Sequence, residues 1–88
     1  MSYFAAILLM EKPDLNMTYR PQHLEYLEKL ESEGKVFAKG PFVDGAGGLV
    51  IYQANSIEEA RELAEADPYI IHGVRSLQLH EWGMALSK

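Results

Sequence analysis

The chain has 88 residues, a formal net charge of −5 and no cysteine. This length allows one domain with a modest hydrophobic core, which we place over residues 1–88. The lack of cysteine excludes disulfides, thiolate metal sites and cysteine nucleophiles, and we expect a soluble, cytoplasmic protein. The acidic residues lie mainly in two segments and no basic stripe offsets them, so we expect no nucleic acid partner. The apolar run Phe4–Met10 is too short to span a bilayer, so we expect no membrane association.

The first half of the chain predicts a strand, a helix and a second strand. Residues Tyr3–Met10 are apolar at both odd and even positions, which indicates a strand with both faces buried. Lys12–Tyr19 is predicted to be a loop. Pro21 fits the first turn of a helix that Gly34 is well placed to end. Val36–Phe42 then follows as the second strand.

The second half predicts two more strands with a helix between them. The glycine-rich segment Asp44–Gly48 is predicted to be a flexible connection, followed by a third strand over Leu49–Gln53. Ser56 and Glu59 have the spacing of a capping box at the start of a second helix. The last strand is predicted over Arg75–Glu81.

This β-α-β-β-α-β order predicts an α+β fold of the ferredoxin-like type, an antiparallel sheet with two helices on one face. The strands Tyr3–Met10 and Leu49–Tyr52 nevertheless offer apolar side chains to both faces of that sheet. No third layer of the chain is predicted to cover the second face. The simplest cover is the sheet of another copy, so we predict a homodimer with sheet-on-sheet packing.

Two residues are candidates for general acid/base chemistry. At about 100° per residue, His23 shares a helix stripe with Leu27 and Leu30 and is predicted to point toward the sheet. Asp67 ends the second helix before Pro68, where its negative charge meets the negative end of the helix dipole. A residue in a locally unfavourable position often marks a functional site. The alternative for His23 is a structural histidine at the edge of the core with one hydrogen bond. The alternative for Asp67 is a residue that only stabilises the turn at the end of the helix.

Further residues are candidates for substrate binding. Arg20 would bind an anionic group, or it would simply be exposed. Gly40-Pro41-Phe42 would form a pocket wall, because glycine permits close approach of a ligand, or it would only end a strand. Tyr69 is read most simply as a core or interface aromatic residue. No metal is predicted, since the three histidines lack the paired spacing of metal ligands: His23, His72 and His80.

Taken in order, these motifs resemble the YciI-like family over nearly the whole chain. The resemblance rests on Arg20-x-x-His23-Leu-x-x-Leu, Gly34-Lys35, Gly40-Pro41-Phe42 and Asp67-Pro68-Tyr69. It implies the fold of the dimeric α+β barrel proteins, which include muconolactone isomerases and small cofactor-independent monooxygenases. It also implies a His–Asp site in a cleft near the dimer interface, matched here by His23 and Asp67. We expect Tyr69 and Gly40-Pro41-Phe42 to bind a substrate beside this pair.

The expected function is therefore that of a small, cofactor-free enzyme of the isomerase, lyase or dehydrochlorinase type. One related family member is a dehydrochlorinase that acts on a chlorinated hydroxyquinol, so the expected substrate is a small cyclic or aromatic compound. Arg20 would hold an anionic oxygen on that substrate. The alternative is a non-catalytic dimeric module that binds a small molecule or serves only for association.

Overall fold

The computed structural model describes residues 1–87, so the predicted domain end at Lys88 lies outside the described residues. Four strands form one antiparallel sheet in the order β2-β3-β1-β4, with helices inserted in the ferredoxin-like pattern. This confirms the predicted fold class. In chain order the elements are β1 (Ser2–Met10), α1 (Pro13–Ser32), β2 (Val36–Pro41), β3 (Gly47–Ala54), α2 (Ile57–Glu65), α3 (Pro68–Ile71) and β4 (Arg75–Trp82).

Helix α1 begins well before the predicted start. The predicted loop Lys12–Tyr19 is wrong, because α1 starts at Pro13 and Pro21 lies inside the helix. Pro13 occupies a first-turn position, where its missing N–H costs nothing. Leu15 and Tyr19 pack against the core, and this packing holds the early turns in place despite Pro21. Gly34 follows the helix with a φ of +75°, as predicted for a residue that ends it.

The segment after α2 contains a short helix that the sequence did not predict. Ser56 caps α2 by accepting a hydrogen bond from the Glu59 N–H at 3.1 Å, which confirms the predicted cap. Asp67 then caps α3 by accepting from the Tyr69 N–H at 2.9 Å. Asp67 does follow the C-cap of α2, as predicted, but the unfavourable dipole of α2 is offset because the same residue begins α3. Its carboxylate lies at the start of a helix, where negative charge is stabilised.

The two faces of the sheet differ in what covers them. Alternate residues of β1 and β3 pair across the strands as Phe4↔Tyr52, Ala6↔Val50 and Leu8↔Gly48, and they lie in the core beneath the helices. The opposite parity, which pairs Ala5↔Ile51 and Ile7↔Leu49, forms what we call the open face. Its outer strands include two large exposed side chains: Phe37 is 43% exposed and Trp82 is 45% exposed.

The hairpin between β2 and β3 brings its backbone very close to β1. Asp44 accepts a hydrogen bond from the Ala46 N–H at 2.9 Å, which closes the turn. Strand β3 starts at Gly47, two residues before its predicted start. Gly47 has a φ of +142°, and a Cβ there would lie 1.9 Å from the Leu8 carbonyl oxygen. Only glycine fits at this close approach of the hairpin backbone to β1.

None of the helices within residues 1–87 is both long and apolar enough to cross a membrane.

Candidate active site

The structure brings His23 and Asp67 into direct contact. The imidazole Nδ1 lies 2.9 Å from Asp67 Oδ1 and 2.8 Å from Oδ2, and the pair is buried, with Asp67 0% exposed. Asp67 Oδ1 already accepts the Tyr69 N–H of α3. Because an ionised carboxylate can only accept, Nδ1 carries the proton of the neutral ring. Nε2 is then the nitrogen left for an external partner.

Tyr69 fixes the orientation of the imidazole from a second direction. Its ring stacks on His23 with 4.1 Å between centroids and 23° between planes. Burial raises the pKa of Tyr69, although the charges of Arg75 and Arg20 act in the opposite direction. The phenol stays neutral near pH 7 and serves as an aromatic platform. His23 is therefore held by a carboxylate at one nitrogen and by a ring against its face.

A cavity of about 280 Å³ opens beside this pair. An engineered cavity of about 150 Å³ in another protein is large enough for benzene, so this volume suits a substituted ring. The cavity lies between α1, the β2–β3 hairpin and the start of β4. Its lining residues are Leu8, Asn16, Arg20, His23, Leu24, Leu27, Lys39, Gly40, Pro41, Gly48, Leu49, Val50, Tyr69 and Arg75.

Most of the residues predicted for substrate binding line this cavity, and one does not. Arg20, Gly40, Pro41 and Tyr69 are among the lining residues. Phe42 instead borders a shallower depression beside β2, which it shares with Ala38 of β2 and Ile51 of β3. Asp67 does not line the cavity but lies behind His23. The substrate-binding roles of these residues stay predictions.

The sequence reasoning did not assign several of the lining residues to a site, and three of these matter for its chemistry: Asn16, Gly48 and Arg75. The Asn16 Oδ1 accepts hydrogen bonds from Arg75 Nε at 3.3 Å and Nη2 at 2.9 Å. Arg75 also lies over the Tyr69 ring, 4.2 Å from its centroid. The sequence did contain a signal for Arg75. It alternates in phase with Leu77 and Leu79 along β4, so its side chain lies on the same face of the strand as theirs, toward the helices. Asn16 was hidden by the incorrect loop prediction.

Other polar groups near the site have structural roles. Lys39 pairs with Glu31 at 2.6 Å, so its charge is partly balanced. Tyr52 is fully buried, its hydroxyl has no hydrogen-bond partner among residues 1–87, and burial followed by the charge of Asp67 raises its pKa. His72 stacks on Tyr19 at 4.1 Å, away from the cavity lining. The described part of the chain places no three His, Asp or Glu side chains together as metal ligands.

Comparisons with known proteins identify the family of this chain and agree with its fold. The family model for the YCII-related domain matches residues 3–83. The chain is 35% identical to the uncharacterised protein YjpA of Bacillus subtilis over 91% of this chain and 94% of YjpA. It is 40% identical to the YciI proteins of Escherichia coli and Shigella flexneri, over 66% of this chain and 69% of theirs.

The fold is also similar to that of a solved enzyme structure. That enzyme is the 5-chloro-2-hydroxyhydroquinone dehydrochlorinase TftG from Burkholderia phenoliruptrix, in complex with 2,5-dihydroxybenzoquinone. The TM-score is 0.78 and the identity 23%, with 94% of this chain and 95% of that chain covered. At this identity the likeness shows the fold alone.

Proposed function

The chain belongs to the family of YCII-related domains, and from that premise we propose that it is a small enzyme that uses His23 and Asp67 for general acid/base chemistry. The observation that carries the proposal is the buried contact between Nδ1 and both carboxylate oxygens at the wall of a ring-sized cavity. The proposed substrate is a small cyclic or aromatic compound. The ring-shaped substrate and ligand named for TftG support this class.

In the proposed mechanism Asp67 keeps the imidazole in one tautomer and stabilises it when it becomes protonated. Nε2 removes a proton from the bound ring compound, and the developing negative charge moves into a carbonyl or enol oxygen, which Arg20 stabilises. In an isomerisation the same proton returns at another atom. In a dehydrochlorination the negative charge on the oxygen returns to the ring as a new π bond while the C–Cl bond breaks and its electron pair leaves with chloride. The imidazolium then passes its proton to water. These steps include no organic cofactor.

We also propose that two copies associate through the open face. Ile7 and Leu49 lie on this face and are only half-buried in the single chain, while Phe37 and Trp82 expose large aromatic surfaces. Contiguous apolar surface of this kind is typical of protein interfaces. Packing against a second sheet would remove it from water. A small domain would also gain stability from the added buried area.

The test of catalysis compares wild-type protein with His23→Ala. Chloride release from 5-chloro-2-hydroxyhydroquinone tests elimination, and NMR in D₂O detects proton exchange in a panel of small cyclic ketones and enols. His72→Ala is the matched control, because it also removes an imidazole but lies outside the cavity lining. We expect His23→Ala to lose about 10²–10⁴-fold in rate, the usual contribution of a positioned general base.

Two outcomes would contradict the proposal. Turnover that survives in His23→Ala would mean that the dyad is not its source. Saturable binding of the ring compounds without turnover or proton exchange would instead identify a non-catalytic binding module.

A further inference from the structure

Arg75 is a buried cation whose charge is not balanced by a contacting carboxylate. It is 9% exposed and does not take part in any of the ion pairs formed among residues 1–87. Burial lowers the pKa of its guanidinium, and the neighbouring charge of Arg20 lowers it further, while Tyr69 and Asp67 act in the opposite direction. A buried charge held in this way is costly unless it is paired. This residue therefore calls for an explanation beyond packing.

The contacts of Arg75 fix the guanidinium but leave one end of it available. Nε and Nη2 both donate to Asn16 Oδ1, and the plane lies over the Tyr69 ring. Neither of these hydrogen bonds uses Nη1. A Cβ added at Gly48 would lie 3.0 Å from Nη1. The same Cβ would lie 3.0 Å from the Gly40 carbonyl oxygen, so the absence of a side chain at Gly48 both lets β2 approach closely and keeps the space beside Nη1 open.

Arg75 and His23 both pack against the ring of Tyr69. The His23 ring is 4.1 Å and the Arg75 Cζ is 4.2 Å from the centroid of Tyr69, and all three residues line the cavity. Because these residues line one cavity, a ring-sized ligand bound at Nε2 of His23 is expected to reach the guanidinium as well. Arginine suits a carboxylate or enolate oxygen because it offers several N–H donors in a rigid plane.

We propose that Arg75 is the main residue that binds the anionic group a ligand already carries, positioned by Asn16 and made accessible by Gly48, whereas Arg20 faces the charge that develops during proton transfer. The ligand it takes is a small ring compound with a carboxylate or enolate oxygen, so that the substrate class is anionic. This inference rests on the proposed function only in placing the anionic ligand beside the general base. Asn16 is a positioning residue, since it acts on the ligand through Arg75.

The other cations of the cavity differ from Arg75 in ways that an experiment can detect. Arg20 is exposed, and Lys39 is already paired with Glu31. Attraction by an exposed charge is screened strongly by salt, whereas a buried charge is screened much less. Anion binding that depends on Arg75 is therefore expected to persist at high ionic strength.

The test uses benzoate and benzamide, two rings of the same shape of which only benzoate carries a negative charge. Binding is measured on the full chain by ¹H–¹⁵N NMR, which also reports on the Gly48 amide and the Arg75 Nε–H. We expect benzoate to shift these signals and to bind at least about tenfold more tightly than benzamide, because a charge-assisted hydrogen bond is replaced by a neutral one. This preference is expected to survive at high salt.

Variants then assign the preference to Arg75. Arg75→Gln is expected to weaken benzoate binding at least about tenfold and to leave benzamide nearly unchanged. Arg61→Gln, which makes the same charge change on the exposed side of α2, is the control. Gly48→Ala keeps every charge but places a methyl group 3.0 Å from both Nη1 and the Gly40 carbonyl oxygen. It is expected to weaken benzoate relative to benzamide, because a general shift of the cavity wall would affect both rings, and it serves as the test if Arg75→Gln does not fold.

Three results would overturn the inference: equal binding of benzoate and benzamide, unchanged benzoate binding when both Arg75 and Gly48 are altered in turn, or no benzoate shifts in the cavity. These outcomes are separate from those for catalysis, because the assay measures binding alone. Benzoate binding that requires Arg75, in a protein without any turnover, would refute the dyad mechanism and retain the anion site.

Discussion

Replacing Asp67 by Asn or by Ala separates the two structural roles of its carboxylate. Oδ1 caps α3 through the Tyr69 N–H, and both oxygens contact His23 Nδ1. Asparagine can keep an oxygen at the cap position because it is itself a good N-cap residue, but it removes the negative charge. Alanine removes both the cap and the partner of the imidazole. We therefore expect the two variants to differ in stability and to agree in loss of turnover.

The expected losses of stability follow from these contacts. Loss of an N-cap costs about 1 kcal/mol, and a hydrogen bond to a charged group contributes about 1.5–3 kcal/mol. Asp67→Ala loses both and is expected to cost about 3 kcal/mol. Asp67→Asn keeps the cap and a neutral hydrogen bond, so it is expected to cost about 1 kcal/mol. For a domain of this size the difference corresponds to roughly 10 °C in Tm.

The assay is thermal or urea unfolding at one fixed protomer concentration, because association would otherwise alter the apparent stability. Asp44→Asn is the matched control, since Asp44 also accepts a backbone N–H but is exposed in the hairpin. Equal losses for Asp67→Asn and Asp67→Ala would refute the separation of cap and dyad. Full turnover in Asp67→Asn would refute the mechanism.

Three further predictions test the rest of the molecule. Ile7→Glu on the open face is expected to yield monomers in analytical ultracentrifugation, whereas Arg61→Glu on α2 should not change the sedimentation of the proposed dimer. Burial first, and then the charges of Asp67 and Glu33, raise the pKa of Tyr26 to about 12 from 10.0, so its contribution to stability is present below pH 10 and lost between pH 10 and 12. Tyr26→Phe is expected to cost about 1 kcal/mol in denaturant unfolding below pH 10, through loss of a 2.6 Å hydrogen bond to α2, and to flatten that alkaline decline. Gly47→Ala is expected to prevent the native hairpin from forming by circular dichroism, unlike Gly45→Ala, which meets no atom within 4 Å and costs about 1 kcal/mol of backbone strain.

The sequence predicted the sheet and the two main helices because their signals are local. Apolar runs at both parities marked β1 and β3, and Ser56 marked the start of α2. The start of α1 was mispredicted because Pro21 was assigned to the first turn, although Pro13 already occupies that position. Proline has the same local preference in both places, and only the packing of the early turns against the core distinguishes them.

The candidate site was predictable in part for the same reason. Helical spacing placed His23 on the buried stripe, and the Asp-Pro-Tyr motif drew attention to Asp67. The contact between them joins residues 44 positions apart, so no local pattern could show it. The partnership of Asn16 with Arg75 spans 59 positions and depended on a turn of α1 that was not predicted. Long-range pairs of this kind require the three-dimensional fold.

Pro21 also gives the two ends of α1 different local stability. It lacks the N–H that would donate to the Met17 carbonyl, and Lys12, the N-cap residue of α1, makes no side-chain capping hydrogen bond. The turns before Pro21 are therefore held mainly by side-chain contacts, which are the core packing of Leu15 and Tyr19 and the hydrogen bonds between Asn16 and Arg75. The turns after Pro21 carry His23. A segment like the one before Pro21 opens locally at a lower free energy than the whole domain. Amide hydrogen exchange over residues 14–20 is therefore expected to report, without an attached probe, whether Arg75 keeps its hydrogen bonds to Asn16.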